Sequence, residues 1–96
     1  MSDVLIFKRN RLPNISFGNF NVISKCFNQE IITLPNDKSD RILIIYANES
    51  LVDIYVNEEY YDELNGTVNM LIKKDINVRL ECKDFKNIIY LLIVIN

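Results

Sequence analysis

Polar and apolar residues alternate with a period of two through much of the second half of the chain. In Leu51–Asn57, Val52, Ile54 and Val56 fall on one face and Asp53 and Tyr55 on the other. Val68, Met70 and Ile72 repeat the pattern in Thr67–Lys73, and Val78, Leu80 and Cys82 repeat it in Asn77–Cys82. A period of two marks a half-buried β-strand. Arg41–Ala47 and Asn87–Ile95 are near-continuous apolar runs that read as buried strands. Val4–Lys8, Asn19–Phe27 and Glu30–Leu34 bring the expected set to about eight short strands. Between them lie polar breaks: Arg9–Asn14 with its Pro13, the loop Pro35–Asp40, a turn at Asn48–Ser50 and a tight connection at Asn57–Glu59. Asn65-Gly66, between Tyr60–Leu64 and Thr67–Lys73, is the strongest two-residue hairpin signal in the chain. The expected fold is all-β: a small antiparallel β-sandwich, jelly-roll-like, in a single β-rich domain over residues 1–96.

One stretch also fits a helix. From about 58 to 74, Tyr60, Leu64, Val68 and Ile72 recur at i, i+4, and Asn57 is a fair N-cap. A helix there makes the fold α+β and places Gly66 mid-helix, at a cost of about 1 kcal/mol.

Composition supports the β assignment and narrows the chemistry. The chain has 15 Ile and 7 Val but a single Ala, at Ala47. β-branched residues suit pleated sheets, and Ala is the best helix former. There is no His, which removes the commonest general base and the commonest zinc ligand. The two Gly cannot build a phosphate-cradling loop, and two Cys cannot close a four-thiolate zinc site. A net charge of −2 argues against nucleic acid as a partner. The longest apolar run, Ile88–Ile95, is far short of the roughly 20 residues of a membrane span. The N-terminus lacks the basic start of a secretory signal, so the expected location is the cytoplasm, with Cys26 and Cys82 as two buried free thiols. No cofactor, metal or catalytic residue is expected, and the chain is read as a non-enzyme.

The segment Tyr46–Glu59, YANESLVDIYVNEE, sets an apolar strand, a short polar turn, a second strand and a polar hairpin in succession. It resembles a recurring segment of the C-terminal β-sandwich of invertase- and levanase-type glycosidases, glycoside hydrolase family 32. Ser50, Val52, Ile54, Tyr55, Val56 and Asn57 fit the pattern, with Asp53 in place of Glu. Asn48 and Glu49 stand where that family has Asp-Arg, and Glu58-Glu59 where it has Asp-Gly. The resemblance spans Arg41–Asn96. It implies an accessory module without catalytic carboxylates, which in that family lie on a separate propeller domain.

Two groups of side chains carry the binding expectation. Asp53, Glu58, Glu59, Asp62 and Glu63 are the densest run of charge. Their spacing is not that of a cation loop. They are either a solvated hairpin edge or a negative face for a basic partner. Tyr46, Tyr55, Tyr60 and Tyr61 cluster nearby, and Tyr55 and Tyr60 beside carboxylates can stack on a sugar or anchor a protein. Lys8, Arg9 and Arg11, followed by Phe17, Phe20, Lys25 and Phe27, form a small basic and aromatic patch, its phenylalanines read as core. The expected function is a non-catalytic accessory or binding module, contacting a protein or a carbohydrate. The alternative is a small free-standing viral or mobile-element protein of the inhibitor or immunity type, which occludes a partner through its acidic face or pairs through an exposed strand, and can form a homo-oligomer.

Overall fold

In the computed structural model, which describes residues 4–7, 20–35 and 38–95, the chain forms antiparallel β-strands. They are β1 (Val4–Phe7), β2 (Phe20–Cys26), β3 (Ile31–Thr33), β4 (Arg41–Val56), β5 (Glu59–Ile72), β6 (Val78–Glu81) and β7 (Ile88–Ile95). A 3-10 turn, Phe85–Asn87, precedes β7. All seven strands belong to one sheet. Its spine is the β4–β5 hairpin, paired from Arg41 opposite Ile72 to Val56 opposite Glu59. The other edge of β4 is divided: residues 41–47 pair with β7 and residues 53–56 with β6. β1 and β2 widen the first half, and β3 widens the second. The sheet curls on itself into a half-barrel, so its two layers are halves of one sheet. The fold is all-β, and the alternative helix at about 58–74 is the strand β5.

The curl is built into β4. Residues 48–50 face a single step of β5, from Gly66 to Asn65. Extra residues in one strand bend it and increase its twist. They also reset its alternation: Leu43, Ile45 and Ala47 face the interior before the insertion, and Val52, Ile54 and Val56 after it. Opposite, Gly66 sits at φ 72°, a left-handed conformation that costs an L side chain about 1–2 kcal/mol. Two expected turns are thereby corrected. Asn48–Ser50 is a bulge within β4, and Asn65-Gly66 is a corner within β5. The chain reverses at Asn57-Glu58, both at positive φ (50° and 68°), the two-residue loop whose twist matches the flanking strands. Asn57 is pinned to the start of β6: its N–H donates to the Asn77 carbonyl (2.8 Å), and its Oδ1 accepts from the Asn77 N–H (3.1 Å).

The interior lies in the concavity. Leu43, Ile45, Met70, Ile72 and Leu92 of the first half meet Val52, Ile54, Leu64, Val78 and Leu80 of the second, all essentially without solvent contact. Each such side chain contributes about 1.5–3 kcal/mol by burial. Tyr90 packs edge-on against Phe27, centroids 5.6 Å apart. A second cluster, Ile42, Ile44 and Leu71 with Leu91, Ile93 and Ile95, lies on the opposite face of the first half. That is why β4 begins, and β7 runs, as an unbroken apolar stretch.

Arg41 interrupts this pattern. It shares the inward side of Leu43 and Ile45 and is fully buried. Its Nη1 donates to the Pro35 carbonyl (2.7 Å), and its Nη2 to the carbonyls of Lys73 (3.1 Å) and Ile76 (2.7 Å). One guanidinium thus ties the β3–β4 and β5–β6 connections across one end of the curl. Cys26 and Cys82 are both free, but Cys26 is exposed, so only Cys82 is the buried thiol expected. Among the described residues no helix is long and apolar enough to cross a membrane.

Candidate binding face

The outer face of the second half presents side chains in cross-strand rows. Because Val52, Ile54 and Val56 point inward, Leu51, Asp53 and Tyr55 point outward. In the first row Tyr60, Tyr55, Arg79 and Thr33 stand opposite one another on β5, β4, β6 and β3. In the second row are Glu63, Asp53, Glu81 and Ile31. Leu51, opposite Asn65, opens a third.

The first row is knit together. Tyr60 and Tyr55 meet edge-to-face at 5.7 Å. The Arg79 guanidinium lies over the Tyr55 ring, 4.3 Å from its centroid. Its Nη1 pairs with Glu58 (2.5 Å) and its Nε with Glu81 (3.0 Å). The second row is different in kind. Asp53 has a carboxylate opposite it on each side, Glu63 and Glu81, and among the described residues neither Asp53 nor Glu63 makes an ion pair. Like charges directly opposite destabilise a sheet. Beside this row lies an open cleft of about 410 Å³ with Glu30, Asp53, Glu63, Glu81 and Asp84 in its walls, and Lys83 as the one cation lining it among the described residues. Ser50, Leu51 and Cys82 complete it.

Titration in this region follows burial first and negative charge second. Partial desolvation, and then the carboxylates of Asp53, Glu63 and Asp62, raise the Tyr60 hydroxyl above its ordinary range. Burial, and after it the charges of Asp84, Asp53 and Glu30, raises the Cys82 thiol, which a backbone hydrogen bond at Asp84 offsets in part. The thiol is therefore protonated at neutral pH and a poor nucleophile. Among the described residues no group of three or more acidic or thiol side chains is arranged to hold a metal ion.

Of the residues singled out in the sequence, Asp53, Tyr55, Tyr60 and Glu63 come together on this face, and Glu58 joins them through Arg79. Glu59 is exposed opposite the inward-facing Val56, outside the cleft. Asp62 stands opposite the inward-facing Ile54, and its Oδ1 accepts the Glu63 N–H (2.7 Å). The tyrosine cluster divides: Tyr46 belongs to the other half of β4, facing Ile89. Tyr61 is an extra residue in β5 whose hydroxyl donates to the Val4 carbonyl (3.1 Å). Lys8, Arg9, Arg11 and Phe17 lie outside the described residues. The structure adds Glu30, Arg79, Glu81 and Asp84. Arg79 and Glu81 alternate outward in the sequence, but only the β4–β6 register brings them beside Tyr55 and Asp53. Comparison with protein-family models, curated proteins and solved structures found no significant match.

Proposed function

We propose that this chain is a non-catalytic binding module that docks a positively charged protein partner on the outer face of its second half. The observation that supports it is the Glu63–Asp53–Glu81 row, carboxylates held opposite one another beside a cleft with two more. Such a row lowers stability in the free protein, and a cation laid along it removes the repulsion. Complementary charge of this kind steers encounter and fixes orientation. Exposed apolar side chains at its margins, Leu51, Ile31 and Tyr60, supply the contact area that charge alone lacks. The free thiols suit a reducing compartment, in keeping with a cytoplasmic location.

A titration of isotope-labelled protein with a short lysine- and arginine-rich peptide tests this. Amide shifts confined to Leu51–Tyr55, Tyr60–Glu63 and Arg79–Asp84, and lost in the D53K/E63K double variant or at high salt, are the expected outcome. Shifts spread over the β1–β2–β7 half, or unaffected by D53K/E63K, would refute it. A second role, accessory module of a carbohydrate-active protein, draws on the exposed Tyr60 ring beside Asp53 and Glu63. It requires fructan or another glycan to perturb the same amides with little salt dependence.

A further inference from the structure

We infer that the partner's cation on this face is the guanidinium of an arginine, flanked by an apolar side chain; the inference rests on the docking face proposed above and narrows its occupant. The face already holds one guanidinium of its own. The guanidinium carbon of Arg79 lies 4.3 Å from the centre of the Tyr55 ring, with Glu58 on one nitrogen and Glu81 on another. A planar cation fits between a ring and two carboxylates because guanidinium stacks, is weakly hydrated and offers its donors as a rigid fork.

The neighbouring unit repeats those parts. Tyr60 meets Tyr55 in a T-shaped contact that occupies at most one face of its ring, and it is 57% exposed. Glu63 and Asp53 stand next to it in register, on adjacent strands. Directly opposed positions on an antiparallel pair have Cβ atoms about 4.5–5.5 Å apart, a span that one guanidinium fork bridges. Among the described residues no cation of the chain pairs with these two carboxylates. Leu51, two residues before Asp53 on the same outward side and 51% exposed, is placed to take the apolar neighbour. An ammonium reaches the same carboxylates as a hydrated point charge, without the stack.

The test uses two peptides identical except that every Arg in one is Lys in the other, titrated calorimetrically into the full chain, its Y60F and Y60L variants, and D53N/E63Q. The arginine peptide is expected to bind about tenfold more tightly than the lysine peptide. Y60F should keep that ratio, Y60L should bring it close to one, and D53N/E63Q should weaken both peptides. Tyr60 is exposed, so Y60L is expected to fold, and its circular dichroism checks this. Equal affinity of the two peptides for the unaltered chain overturns the arginine inference and leaves the acidic docking face standing. An arginine preference that survives in Y60L overturns the role of Tyr60 as the stacking ring. Binding of neither peptide overturns the docking face itself.

Discussion

Arg41 is the side chain whose removal should damage the fold most for reasons other than lost apolar burial. In Arg41→Met the hydrocarbon volume is largely kept, so the change reads out the polar part. Three carbonyls, of Pro35, Lys73 and Ile76, lose a charged donor at 2.7–3.1 Å. Hydrogen bonds to a charged group are worth about 1.5–3 kcal/mol each, and a buried acceptor left without a partner costs about 1–3 kcal/mol. Against this, the variant no longer desolvates a guanidinium, which returns several kcal/mol. Three bonds at the middle of their range come to about 7 kcal/mol, and a return of about 4 kcal/mol leaves a net loss of about 3 kcal/mol. A domain of 96 residues has about 5–14 kcal/mol in total, so the variant stays folded but sits near the margin. In urea, with m of about 1–3 kcal/mol/M, the midpoint should fall by about 1–3 M at unchanged m. Arg41→Lys should fall between, because an ammonium cannot serve all three carbonyls from the geometry of two guanidinium nitrogens. The loss should not vary with salt, since the group is shielded from the ionic atmosphere. A midpoint shift below about 0.3 M in the Met variant would mean that desolvation cancels the hydrogen bonds, and the clasp would not be stabilising.

Four further outcomes follow from the same structure. Gly66→Ala places its Cβ where nothing lies within 4 Å, so only the φ of 72° opposes it; a loss of about 1–2 kcal/mol by thermal unfolding is expected, with Gly66→Asn milder. Asp53→Asn should raise stability by a few tenths of a kcal/mol at neutral pH, relieving two like-charge contacts, and the gain should shrink in high salt. A thiol reagent should label exposed Cys26 in the native protein and Cys82 only as the chain unfolds, its thiol being buried and raised above its ordinary range. Burial raises the Tyr90 hydroxyl above 10.0, so the folded chain holds a proton that the unfolded chain releases; stability should fall as the pH rises past 10, a fall that Tyr90→Phe reduces, measured by denaturation at successive alkaline pH values.

The strands were legible wherever alternation continued without interruption, as in Val52-Ile54-Val56 and Val78-Leu80-Cys82, because inward and outward sides are fixed by the pleat. Their joins were not. Asn-Gly favours a residue at positive φ, and Gly66 adopts one, but positive φ serves a corner as well as a reversal. Which of the two forms is decided by pairing: a reversal at Asn65-Gly66 would break β5 and forfeit one half of its ladder with β4. The turn that does form, Asn57-Glu58, has no Gly at all. The helical alternative over 58–74 arose because a spacing of four is also a multiple of two. Leu64, Val68 and Ile72 therefore line one face under either geometry, and here they line the interior of a strand. On the candidate face, Asp53 and Tyr55 were legible as outward residues of one strand. Glu30, Glu81 and Asp84 reach them only through the registers of β4 with β6 and β6 with β3 and the approach of the loop after β6, which no local pattern encodes. Arg41 was hidden for another reason: its place in the alternation is a core position, and a charged residue there is found only by asking what it bonds.

One corner serves both the core and the face. Were residues 48–50 part of the regular pleat of β4 rather than bulged out of it, the alternation set by Leu43, Ile45 and Ala47 would carry Leu51, Asp53 and Tyr55 to the inside and Val52, Ile54 and Val56 to solvent. Their displacement from the pleat therefore keeps the acidic side of the second half outward. It also sets Ser50 and Leu51 beside Cys82 and Asp84, Ser50 Oγ lying 3.4 Å from the Asp84 carbonyl, so that the bend and the cleft share their walls. A ligand in that cleft touches the segment on which the curl depends. Binding there and the stability of the fold are consequently one linked equilibrium, and occupancy of the face stabilises the corner by mass action.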